Sequence, residues 1–154
     1  MLDEPILDDN FPIETVTEKM PSLNHSYICL QIIKQLLKNE TIAPLPELTL
    51  DILSGITPDI SVFPKEKIHP NFFNDVVKFS QLPPLAIEII SPSQNIQMML
   101  EKARSLIHAG INTVWIVEPF GKNIFISTAS DEKLIHNGIA KAGSIEVDFT
   151  QVFL

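Results

Sequence analysis

From residue 22 the chain reads SLNHSYICLQIIKQLLKN, in which Cys29, Ile32, Ile33, Leu36 and Leu37 recur at helical spacing. The pattern predicts a helix over 22–39 with one face packed inward, and Ser22 or Asn24 stands where an N-cap belongs. Pro44-Leu45-Pro46 ends that element. Leu48, Leu50 and Ile52 then alternate with Thr49, Asp51 and Leu53, which predicts a strand. Ser54-Gly55 turns the chain into a second strand beginning at 58–63. Residues 64–84 are polar and Pro-rich, and read as a long loop. Leu85-Ala86-Ile87-Glu88-Ile89-Ile90 follows as the most apolar strand. A second helix is expected over 95–109, stopped by Gly110. Thr113–Val117 reads as a buried strand, 118–123 as a turn into a strand over 124–127, and 144–149 as one more strand. This order predicts an α/β fold, a mixed β-sheet flanked by helices. Residues 1–12 read as a loosely ordered N-terminal arm, and 13–154 as a single domain.

The 154 residues suffice for one domain with a real core. No apolar run approaches the roughly 18–20 residues that cross a bilayer, and Met1-Leu2-Asp3-Glu4 does not resemble the start of a secretory signal. The single cysteine, Cys29, excludes a disulfide framework and a cysteine-built zinc site. These features predict a cytoplasmic protein with no membrane partner. Nineteen acids against eleven bases give a net charge of −8, and Arg104 is the only arginine. Such a balance counts against nucleic-acid binding, which rests on a clustered basic face.

Two carboxylates change the picture. Strand 85–90 is nearly all apolar, the mark of burial on both faces. An ionised Glu88 there is costly unless it is protonated, meets a fixed base, binds a cation, or lies where the sheet opens to water. Asp59, between Pro58 and the apolar Ile60, starts the preceding strand. Two acids on neighbouring strands repel, and a hard divalent cation between them relieves the repulsion. Mg²⁺, or Mn²⁺ in its place, suits a pair of carboxylates completed by water and substrate oxygens. Ile90 occupies the position two residues beyond Glu88 on the same strand face, where a lysine would otherwise project. On the following helix Met99, Ala103, Leu106 and Ile107 share one arc, and Lys102 lies at its border. Lys102 either snorkels to solvent or reaches the acids as a third member of the site.

The segments Thr57-Pro58-Asp59-Ile60-Ser61-Val62, Leu85–Ser93, Glu101-Lys102 and Gly110–Pro119 together resemble small bacterial restriction endonucleases of the PD-(D/E)xK nuclease superfamily. The resemblance covers about His25 to Phe153. It implies a restriction-endonuclease-like fold and a Mg²⁺-dependent (or Mn²⁺-dependent) DNA endonuclease. By motif, Asp59 and Glu88 become metal ligands, and Lys102 the catalytic lysine moved from strand to helix. The first helix with His25 also matches the family's pattern. The chain departs from that pattern at Leu106 and Val114, where tyrosines are common. Secondary candidates are Glu47, as a further acid, Ser91, as a hydrogen-bonding group near the metal or a helix cap, and His25. For His25 the residue pattern by itself favours a capping or surface role. DNA is the expected substrate, and a homodimer would gather the scattered lysines in one groove. The competing expectation is a catalytically inactive module on the same scaffold, binding nucleic acid or protein.

Overall fold

The computed structural model describes residues 22–154. The expected arm at 1–12 and the start of the domain at 13 lie outside them. Helix α1 (Leu23–Leu36) is opened by Ser22, whose hydroxyl accepts from the His25 backbone N–H at 3.2 Å. Its buried stripe is His25, Ile28, Ile32 and Leu36. Helix α2 (Ile96–His108) is opened by Asn95, whose side chain accepts from the Met98 N–H at 2.8 Å. Gly110 follows that helix at φ +118, a conformation only glycine adopts without strain.

Between and beyond these helices a six-stranded sheet runs in the order β1 (Ile42–Pro46), β2 (Ile60–Pro64), β3 (Leu85–Ile89), β4 (Thr113–Glu118), β5 (Asn123–Thr128) and β6 (Glu132–His136). All neighbours are antiparallel except β3 and β4, which run parallel because α2 crosses over between them. A separate hairpin, β7 (Ile139–Ala142) with β8 (Ile145–Asp148), leads into the short helix α3 (Phe149–Val152). Alternation along β3 builds the two cores. Leu85, Ile87 and Ile89 pack with Ile28, Ile32, Trp115 and Phe149 on the α1 side. Ala86 and Ile90 pack with Met99, Ala103, Leu106 and Ile116 on the α2 side. The expected mixed sheet with flanking helices is therefore what the chain forms.

One strand falls elsewhere than its pattern indicates. The strand expected at 48–53 is not formed, and β1 instead contains Pro44 and Pro46. Proline is admitted because β1 is an edge strand, so its outward positions need no ladder N–H. Leu50 makes only isolated bridges, to Ile56 and Phe79, and its burial accounts for the alternation that mimics a strand. The Ser54-Gly55 turn is present, with Leu53, Ser54 and Gly55 all at positive φ. In the 64–84 stretch Pro64 ends β2, Lys65–Lys67 form a 3-10 turn and Phe79 bridges to Leu50, and the rest is loop. Strand β6, strand β7 and helix α3 have no counterpart in the expected elements, being short and, in β6, largely exposed.

Candidate functional site

Ile60 pairs with Ile87 across the β2–β3 ladder, so Asp59, one residue earlier, comes opposite Glu88, one residue later. The ladder frays there, and the two carboxylates replace its backbone acceptors. The Asp59 N–H donates to Glu88 Oε1 at 2.6 Å, and the Ile89 N–H donates to Asp59 Oδ2 at 2.7 Å. These reciprocal bonds hold both side chains rigidly, and both residues are 1% exposed. Alternation points Glu88 to the α2 side, where Lys102 descends from the buried face of the helix. Its ammonium donates to Glu88 Oε2 at 2.6 Å, and Lys102 is likewise 1% exposed. Of the two expectations for Lys102, snorkelling to solvent is excluded. In so dry a setting a charge-assisted hydrogen bond is short and strong, and each partner offsets the cost of burying the other.

From the opposite side of the sheet, His25 reaches the same cluster. Its Nε2 lies 3.1 Å from Asp59 Oδ1, close enough for an electrostatic contact but outside hydrogen-bond geometry. The expectation of a capping or surface role for His25 is corrected: Ser22 does the capping, and the imidazole is buried. The signal was present in the sequence, because His25 precedes Ile28, Ile32 and Leu36 at helical spacing. A polar residue on the core stripe of a helix needs a polar partner, and here it is Asp59.

The other secondary candidates take different places. Glu47 is exposed, and its backbone N–H donates to the Asp59 carbonyl at 3.1 Å, so it adjoins the site through the main chain. Ser91 is buried, and both its N–H and its hydroxyl donate to Gln94 Oε1. Ser91 does not cap α2, since Asn95 holds that position. Glu118 ends β4 and accepts from Gly121 and Asn123, as a strand-terminal acid should. The participation of backbone amides at Asp59 and Ile89 had no signature in the residue pattern.

A cavity of about 510 Å³ opens beyond the carboxyl ends of β3 and β4. Crevices at this end of adjacent parallel strands are where open α/β sheets take ligands. Asn24 and Ile90 line it, next in sequence to His25 and Ile89, and the fully exposed Phe120 stands on its rim.

The donor chemistry at Asp59 and Glu88 fits a hard divalent cation, with two carboxylates held side by side by backbone amides. Among the described residues no group of three or more His, Cys, Asp or Glu forms a ready-made metal cluster. A cation held here would therefore take most of its coordination from water and substrate oxygens, as Mg²⁺ commonly does.

Comparison with known proteins bears on this arrangement. None of the curated proteins matches the chain. Among solved structures it is similar to a putative nuclease belonging to DUF820 from Anabaena variabilis, with 21% identity and a TM-score of 0.71. That match covers 87% of this chain and 82% of the other, and at this identity it shows a common fold. A DrdV–DNA complex aligns with 81% of this chain but 12% of its own, at 10% identity and a TM-score of 0.40. The Uma2 family model, described as "putative restriction endonuclease", matches residues 13–145. The chain thus belongs to the Uma2 family of restriction-endonuclease-like proteins.

Proposed function

We propose that this chain is a divalent-metal-dependent endonuclease that hydrolyses phosphodiester bonds in DNA. The reading is carried by one observation: Asp59, Glu88 and Lys102, far apart in sequence, meet in a single buried cluster at the end of β3. Asp59 and Glu88 are the residues that would hold Mg²⁺ or Mn²⁺. The chemistry supplied by such a cation is activation of a water and neutralisation of phosphate charge. The Ile89 amide and His25 hold Asp59 in place, so little reorganisation is needed when substrate arrives. Lys102 contributes a fixed positive charge where negative charge grows on the phosphoryl oxygens, and it orients the attacking water. The cavity beyond β3 and β4 is assigned to the substrate strand, because Asn24 and Ile90 in its lining are the sequence neighbours of His25 and Ile89.

Cleavage of plasmid and single-stranded DNA in Mg²⁺ or Mn²⁺ tests the reading. Asp59→Ala and Lys102→Ala are each expected to lower turnover by about 10²–10⁴-fold. Cleavage by both variants at the wild-type rate rejects it. A second reading, a catalytically inactive binding module on the same scaffold, is favoured by the net charge of −8 and the single arginine. It predicts no cleavage and no rise in melting temperature on adding Mn²⁺. A metal-holding site predicts a rise.

A further inference from the structure

Every carboxylate oxygen in the cluster already faces a nitrogen. Glu88 Oε1 meets the Asp59 amide and Glu88 Oε2 the Lys102 ammonium, while Asp59 Oδ2 meets the Ile89 amide and Asp59 Oδ1 the His25 ring. Three of these groups are amides or an imidazole, and among the described residues at the cluster Lys102 is the one that brings a full ammonium charge. Its residue is as buried as the two acids, so its charge is not dissipated into solvent. An ammonium 2.6 Å from a carboxylate oxygen faces the oxygen that a divalent cation would bind, and supplies half of that cation's charge.

From this geometry, and resting on the metal-dependent reading above, we propose that Lys102 is a built-in competitor of the divalent cation for Glu88. With no divalent ion bound, the ammonium stands in for one and prevents two adjacent buried carboxylates from being left uncompensated. An incoming divalent ion must displace the ammonium from Glu88 Oε2 or share the carboxylate with it against like-charge repulsion, which is strong where the effective dielectric is low. The site's affinity for metal is therefore held down by Lys102. A lysine acting only on substrate would leave metal affinity unchanged.

Calorimetric titration of the full chain with Mn²⁺ alone, without DNA, separates these cases. Lys102→Met keeps the length and apolar stem of the side chain and removes the charge. The metal-free variant should melt below wild type, bind Mn²⁺ at least tenfold more tightly, and gain more in melting temperature from Mn²⁺ than wild type does. A variant that folds only when Mn²⁺ is present also supports the proposal. Where Lys102→Met does not fold under either condition, Lys102→Gln, which keeps a neutral donor to Glu88, carries the same comparison. Equal or weaker Mn²⁺ binding by the folded variant overturns the competition and leaves the metal site standing. Failure of both wild type and variant to bind Mn²⁺ overturns the metal site as well.

Discussion

Glu88 and Lys102 lie fourteen residues apart and meet at 2.6 Å with almost no exposure. Their pairing makes the buried glutamate tolerable, and removing one partner leaves the other's charge stranded. Glu88→Ala should therefore destabilise the chain by about 3–5 kcal/mol, read by urea unfolding, because an uncompensated buried ammonium remains. Glu88→Ala combined with Lys102→Met should recover much of that loss, since a buried ion pair often exchanges for apolar side chains at little cost. An additive double variant would show that the two residues do not act as a pair. Glu88 was legible as an anomaly from its apolar neighbours alone. Lys102 was legible as a candidate partner from its place beside the apolar arc of α2, but a lysine at that border looks the same whether it folds inward or outward.

At the scale of elements, the long apolar strands and the two main helices were readable because their periodicity is strong. The edges were not. β1 carries two prolines that argue against a strand, and only its position at the sheet edge makes them harmless. β6 is mostly exposed, so it lacks the alternation by which strands are recognised. The stop of α2 was readable because glycine has a specific role there. Gly110 sits at φ +118, and a Cβ at this position would meet Leu82 Cδ1 at 2.9 Å. The side-chain tip can yield, whereas the backbone conformation cannot. Gly110→Ala is expected to cost about 1–3 kcal/mol, measured by thermal or chemical unfolding, with the cluster at Glu88 unaffected.

On the scale of the whole molecule, helices and sheet are joined by the two cores and by a few polar ties. Arg104 of α2 grips Glu132 at the start of β6 through two hydrogen bonds, at 2.7 and 3.0 Å. The guanidinium holds the Glu132 carboxyl below its ordinary value of 4.5, chiefly through that hydrogen bond. A lowered folded value means the tie stabilises fully above 4.5 and is lost as pH falls through the lower folded value. The melting temperature of Glu132→Gln should accordingly lie slightly below wild type at neutral pH, and the two should converge in acid. The difference should stay small because both side chains are about half exposed. Sequence by itself determined the continuous apolar run that buries β3 on both faces, the Ser22 cap of α1 and the Gly110 stop of α2, and the presence of a carboxylate where water is scarce. These are local consequences of side-chain size, polarity and backbone freedom. Only the tertiary structure decided that the β2–β3 register sets Asp59 opposite Glu88, that Lys102 turns inward, and that His25 arrives from the far side of the sheet. Register and packing are properties of several segments at once, so no stretch of sequence read alone contains them.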